Sequence, residues 1–264
     1  MKRISGVVIT CNEAEKIAAA LASLRPVCDE IVVVDSFSND ETPEICRRLA
    51  DRFVQREWPG YREQKQFATE LATCDWVLSL DADERLSRRL QAELAEWKSR
   101  AEDAVAGYRI PRLAYFWGRW IRHTIWYPDW QLRLFRKDAG RWSGGRVHES
   151  FKVTGAVGTF EAPIYHYTYA TLQEYLEQLQ RFSRLAALDA WEKGARPRRT
   201  RLVAEPPLVF LKSYLLKLGF LDGLAGFLVS ALAGVSCFFK QAHLAEIARQ
   251  RSGGEPPWEE LEAQ

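Results

Sequence analysis

The sequence has no CxxC pair and no framework spacing among its five cysteines, Cys11, Cys28, Cys46, Cys74 and Cys237. That excludes a disulfide scaffold and a structural zinc site, and it points to reduced thiols in a cytosolic protein. Charge of neither sign is in excess, the formal net being +2, so net charge alone selects no partner class. There is no internal repeat and no low-complexity stretch apart from a polar tail after Arg251, which leaves a folded, non-repetitive chain. Nor is there a leader pattern: the apolar run that follows Lys2 and Arg3 breaks at Asn12 and Glu13 before a cleavage site. The N-terminus is therefore expected to belong to the fold.

With 47% hydrophobic and 27% charged residues in 264, the composition is that of one large globular domain plus an appendage. "ISGVVIT" is β-branched and runs into "CNEAEKIAAALASL", where Asn12 and Glu15 are spaced as a capping box and Ala14, Ile17, Ala18, Leu21 and Leu24 share a helical face. "EIVVVDS" makes a second buried strand ending in Asp35, and Thr42-Pro43 opens a helix. A short strand at Phe53–Gln55, a helix carrying Phe67, Ala68 and Leu71, the strand "WVLSL" and a helix from Ser87 to Trp97 follow. Alternating strands and helices over about the first 100 residues predict a parallel sheet covered on both faces. Ligands bind such sheets beyond the carboxyl ends of the strands. Thr10 with Asn12, Asp35 with Ser36, and Asp81 with Asp83 all fall at those ends.

From 107 to 170 the chain is rich in Trp, Tyr and Arg, and "QLRLF" alternates as a strand, so a mixed β extension is expected. Thr171 and Glu174 form a second capping box before a helix whose predicted apolar stripe is Leu172, Leu176, Leu179, Phe182 and Leu185. Arg133 and Arg136 either pair with phosphate or face solvent. The aromatic run Tyr115–Trp130 suits stacking on sugar faces as well as core packing.

Two strand-end carboxylates one residue apart repel each other unless a positive group stands between them, and a hard divalent cation is the usual one. The alternative for "DADE" is a solvated turn before the next helix. The ordered set "VVITCNEAEKI", "EIVVVDSFSNDET", "YREQKQFA", "WVLSLDADE", "WYPDWQLRLFR" and "GRVHES" resembles glycosyltransferase family 2, and most closely the lipopolysaccharide core glucosyltransferases that act on inner-core heptose. The match runs over about the first 170 residues; "FLKSYLLKLGFLDGLAGF" is similar to the same group's C-terminal region.

The resemblance implies an α/β fold of GT-A type, Rossmann-like with a mostly parallel sheet, followed by a helical membrane-associated region. On that basis residues 1–170 form the nucleotide-sugar-binding catalytic domain, 171–250 the helical region and 251–264 a tail. It implies a metal-dependent, inverting transfer of a hexose, glucose from UDP-glucose, to the inner-core heptose of lipopolysaccharide at the cytoplasmic face of the inner membrane. The donor side would be Thr10, Asn12, Glu13, Asp35, Ser36, Lys65 and Asp81. A divalent cation, Mg²⁺ or Mn²⁺, would be held by Asp83, Asp81 and His148. Glu149 is the first candidate for the general base and Asp129 the second, with His148 beside them. Gln66 departs from the family pattern, which has asparagine after the lysine. His123, His166 and His243 are read as structural. The alternatives are another lipid-linked, polysaccharide or protein acceptor, or a non-catalytic membrane-associated sugar-nucleotide binder. A phosphatase of the haloacid-dehalogenase type fits less well, because Glu84 stands where it has Thr or Val.

The segment 223–239 carries no charge and has about the minimum length of a spanning helix. Asp222 at its start argues against a clean span, and a glycine-hinged hairpin lying in the interface fits better. Lys193, Arg196, Arg198, Arg199 and Arg201 crowd one stretch just before it, so peripheral or monotopic membrane contact through 193–239 is expected. The other reading is a hydrophobic helix pair packed on the domain. Basic and aromatic residues lie in separate segments, which argues against a nucleic-acid partner.

Overall fold

The computed structural model describes residues 1–101, 104–145, 149–169 and 171–251. Two compact units emerge: Met1–Arg122 with Trp126–Thr168, and His123–Ile125 with the residues from Tyr169 onward. The excursion of three residues, His123–Ile125, into the second unit has no signal in the sequence.

The first unit opens with β1 (Ile4–Thr10), α1 (Ala14–Leu24), β2 (Glu30–Asp35), α2 (Thr42–Leu49), β3 (Arg52–Gln55), α3 (Tyr61–Leu71) and β4 (Trp76–Asp81). The four strands are parallel in the order β3-β2-β1-β4, as continuous β-branched runs between helices require. Alternation along the strands divides the core. Ile4, Val8, Ile31 and Val33 pack under α1 and α2, while Val7, Val32 and Val34 face α3 through Ala68 and Ala72.

The chain continues as β5 (Glu84–Leu86), α4 (Arg88–Ser99), β6 (Val105–Phe116), β7 (Arg119–Trp120), β8 (Asp129–Arg136), β9 (Gly140–Gly144), β10 (Glu149–Val153), β11 (Ala156–Thr159) and β12 (Ile164–Tyr167). β8 enters the sheet antiparallel to both β4 and β6, and β12 joins β6 to the short β5. β9 and β10 form a separate hairpin. Its Trp142 and Phe151 pack with Phe135 of β8.

Local capping is borne out at one helix and overturned at another. Thr171 accepts from the Glu174 amide (3.1 Å); Ser87, read from sequence only as the start of its helix, accepts from that of Leu90 (3.2 Å). Asn12 caps nothing. It takes a left-handed conformation (φ 56°), its Oδ1 accepts from the Asn39 amide (2.8 Å), and α1 starts two residues later. The amides of Asn12, Glu13 and Ala14 are instead bound by Ser38, Thr42 and Asp40. A tertiary loop thus does what the capping box was expected to do.

The second unit contains α5 (Leu172–Glu192), α6 (Arg199–Leu211), a π-helical turn (Lys212–Leu216), a 3₁₀ turn (Gly219–Asp222) and α7 (Gly223–Arg251). On α5 the buried residues are Tyr175, Leu179, Ser183 and Ala187; of the predicted stripe, Leu172 is exposed. Ala187 packs there with Leu244 and Ile247 of α7, and Leu188 and Trp191 lie against them. α6 and α7 form a hairpin in close approach, since a Cβ on Gly234 would lie 2.9 Å from the Pro206 carbonyl oxygen. Among the described residues, Gly219–Arg251 is one helical run long and apolar enough to cross a membrane by length and composition.

Candidate active site at the strand ends

Strand register brings the polar ends together. Thr10 pairs in register with Asp35, and Ile9 with Asp81, so three neighbouring strands finish at one rim. Asp81 stands between two cations. Its Oδ1 is 2.9 Å from Lys65 Nζ of α3, and its Oδ2 accepts from Arg133 Nη2 of β8 at 2.6 Å.

Lys65 also donates to Glu149 Oε1 on β10 (2.8 Å). Arg133 also donates to Glu84 Oε1 (2.6 Å). Glu84 is fully buried and accepts from the Asp81 amide (3.0 Å), and it lies 3.4 Å from Arg112. Arg112 in turn holds Asp129 through Nε (2.8 Å) and Nη2 (2.6 Å), and Gln131 Nε2 takes the other oxygen of Asp129. One alternating chain of charge therefore runs from Glu149 through Lys65, Asp81, Arg133, Glu84 and Arg112 to Asp129. Lys65, Asp81, Arg112, Arg133, Trp142 and Glu149 line a cavity of about 310 Å³ on it.

Two expectations change here. Arg133 does not face solvent: it is 5% exposed, because β8 is inserted between two strands. The positive charge demanded by the Asp81/Asp83 pair is already present in protein groups. Among the described residues Asp83 makes no link in this chain of charge, and it lies 3.1 Å from His166 Nε2 on β12. His166, read as structural from sequence, thus stands at the rim beside Asp83. Its only signal is tertiary, the antiparallel pairing that sets His166 against Glu84.

Electrostatics follow the contacts. Against the cost of burial, Arg133 and Lys65 hold the Asp81 carboxyl well below its ordinary value, and His166 holds that of Asp83 down. Burial opposes the charge on Lys65, yet Asp81 and Glu149 raise its pKa on balance.

On the other side of the rim, Asp35 is fully buried. It accepts from the Ser38 hydroxyl and amide and from Gln55 Nε2, so it organises the loop after β2. Ser36 Oγ accepts from Gln64 Nε2 (3.1 Å). Thr10 Oγ1 is buried and has no hydrogen-bond partner among the described residues. His148 lies outside the described residues.

Glu13, at the entrance of α1, is displaced to a pKa of about 7, chiefly by burial, with Lys16 opposing and Asp83 adding to the rise. The folded state then holds a proton that the unfolded state releases near 4.5, so stability falls as pH rises between the two values. Glu13→Gln removes this dependence. It is expected to match the wild type in urea unfolding at pH 4.5 and to exceed it by ~1–2 kcal/mol at about pH 8.

The donor set fits a cation that arrives on a ligand. Among the described residues no three His, Cys, Asp or Glu side chains gather as a metal cage. Mg²⁺ and similar ions, however, are held by one or two carboxylates together with substrate phosphates. Asp83 with the His166 imidazole meets that need, and Asp81, compensated twice over, does not have to contribute.

The sequence is similar to known proteins along most of its length. The sequence profile "Glycosyl transferase family 2" matches residues 5–155. The lipopolysaccharide core biosynthesis glycosyltransferase LpsC of Rhizobium meliloti is 32% identical over 248 residues, 91% of each chain. An uncharacterized glycosyltransferase of Rickettsia prowazekii is 30% identical over 258 residues, 94% of this chain and 88% of its own. Among solved structures, the mannosyltransferase PcManGT of Pyrobaculum calidifontis in complex with GDP-Man and Mn²⁺ is 19% identical, with a TM-score of 0.49 over 99% of this chain and 78% of its own. The profile and the two relatives together show that the chain belongs to glycosyltransferase family 2 and is a glycosyltransferase.

Proposed function

We propose that the protein is a metal-dependent, inverting hexosyltransferase. It moves glucose from UDP-glucose to the inner-core heptose of lipopolysaccharide at the cytoplasmic face of the inner membrane. The observation that carries the reading is the rim of the central strands, where Asp81 lines a cavity with Lys65, Arg133 and Glu149, and Asp83, two residues on, stands beside His166. The acceptor class rests on the similarity to LpsC.

In this reading Thr10, Asn12, Glu13, Asp35 and Ser36 form the nucleotide side. The unpartnered Thr10 hydroxyl donates to the donor, while Asp35 shapes the loop that covers it. Lys65 and Arg133 fix Asp81 and offer positive charge to the diphosphate. Glu149 takes the proton of the acceptor hydroxyl as the hydroxyl oxygen attacks C1 and the bond from C1 to the diphosphate oxygen breaks, with inversion. Such a base contributes roughly 10²–10⁴ in rate. Asp129 ranks second because Arg112 and Gln131 already occupy both of its oxygens; it orients the acceptor. Asp83 and His166, with His148 as the further ligand that the family resemblance implies, would hold a divalent cation, Mg²⁺ or Mn²⁺, which would supply Lewis-acid stabilisation to a departing diphosphate, worth several kcal/mol.

Calorimetric titration with UDP-glucose tests this. The expected result is saturable binding that weakens about tenfold or more when Mn²⁺ is removed. Binding indifferent to metal would overturn the metal mechanism, and silence with UDP-glucose alongside binding of another nucleotide sugar would replace the donor.

A further inference from the structure

The turn of the α6–α7 hairpin has its polarity reversed. Between Leu211 and Phe227 the buried residues include the polar Ser213 and Asp222, together with Gly219, Ala225 and Gly226. Those directed outward are large and apolar: Leu216 is 79% exposed and Leu224 64%, with Leu215, Leu218, Phe220 and Leu221 around them. α6 itself buries no residue.

Polar contacts hold this turn from within. Asp222 accepts from the His123 amide (2.8 Å) and lies 3.0 Å from His123 Nδ1. Ser213 and Ser230 share a hydroxyl–hydroxyl bond (2.8 Å), and the Thr124 amide donates to the Lys217 carbonyl (2.9 Å). Closing such groups inside while leucine and phenylalanine point out is favourable where the surroundings are hydrocarbon, and costly where they are water.

The charges select the occupant. From Lys193 to Lys240 the chain carries eight Lys and Arg against two acids, Glu205 and Asp222. Both acids are engaged, Glu205 by Gln241 (2.7 Å) and Asp222 by His123. Lys212 and Lys217 are exposed among the outward leucines, placed for their stems to lie along acyl chains and their ammonium groups to reach the headgroups.

We infer that the outer face of this hairpin turn is a monotopic docking surface for an anionic phospholipid bilayer, lying in the interface and not crossing it. α6 and α7 run back from the turn as a pair, so both of their far ends stay on one side. The inference deepens the membrane part of the proposed function, and its test is independent of the sugar chemistry.

The full-length protein is sedimented with vesicles of phosphatidylglycerol and phosphatidylethanolamine, and with vesicles of phosphatidylcholine alone. It is expected to pellet with the anionic vesicles, and at least about tenfold less with the neutral ones. The double variant Leu216→Glu/Leu221→Glu changes only exposed positions, so its circular dichroism melt should match the wild type while vesicle binding falls by about tenfold or more. Lys212→Gln/Lys217→Gln should weaken binding to the anionic vesicles selectively. A wild type that stays in the supernatant, or binding unchanged in the glutamate variant, overturns the inference. So does a concentration-dependent dimer that the glutamate variant dissociates without any vesicle binding, since a second copy would then cover the face. Calorimetric binding of UDP-glucose separates the two readings: its presence without vesicle binding sinks only the membrane surface, and vesicle binding without it sinks only the donor assignment.

Discussion

Asp83→Ala is expected to lower kcat/KM by about 10³ while leaving the thermal midpoint within a degree or two of the wild type. The magnitude follows from the several kcal/mol that Lewis-acid stabilisation supplies to a leaving diphosphate, at about 1.4 kcal/mol per decade. The fold should tolerate the change, because the Asp83 side chain stands at a partly exposed rim and its contact is with a single imidazole. Its carboxyl pKa lies below the ordinary 3.8. The stability that the His166 contact adds is therefore present above that value and lost as pH falls through the lower, folded one; the variant should lack this acid limb. His166→Gln separates the two roles. Retention of metal-dependent donor binding would leave Asp83 as the sufficient ligand, whereas its loss would make the imidazole part of the site. Full activity in Asp83→Ala would remove the metal from the mechanism.

Arg133→Met should have the largest effect on stability, a loss of ~3–5 kcal/mol in chemical unfolding. At roughly 2–4 °C per kcal/mol for a protein of this size, the midpoint falls by about 6–20 °C. The reason is what remains behind. Arg133 is 5% exposed and compensates Asp81 and the fully buried Glu84 at once, so methionine leaves two carboxylates in a cavity with Lys65 and Arg112 as their remaining cations. Since Arg133 holds the Asp81 carboxyl well down, removing it raises that pKa, and the deficit should narrow as the pH is lowered and the carboxyls take up protons. Glu84→Gln on the same background should recover part of the loss, which a packing defect at methionine would not. A change of less than about 1 kcal/mol in Arg133→Met would show that the alternating chain of charge contributes little beyond its own desolvation cost.

The parallel half of the sheet was legible because its signals are local. "GVVIT", "EIVVVD" and "WVLSLD" are each long enough to be buried on both faces, and each is followed by a run with helical period. The polar residues that end them necessarily meet at one rim, and Thr10, Asp35, Asp81 and Asp83 were found in this way. Thr171 was readable as a cap for the same reason, since donor and acceptor lie within three residues. Asn12 had the same local signature and failed, because Ser38, Asp40 and Thr42 arrive from the next loop and bind the amides it was expected to serve.

What the carboxylates do with their charge was decided by tertiary structure alone. Arg133 stands 52 positions from Asp81, and His166 stands 83 from Asp83. They meet only because β8 inserts antiparallel beside β4 and β12 closes on the three residues of β5. An Asp-x-Asp at a strand end states a need for positive charge, which hydrophobic periodicity can locate; whether Lys, Arg, His or a metal answers it depends on neighbours that no local pattern encodes. The hairpin divides along the same line. Its apolar composition is plain in 223–239, but that Asp222 and Ser213 turn inward while the leucines turn outward is a property of packing, set by the close approach that Gly226 and Gly234 allow.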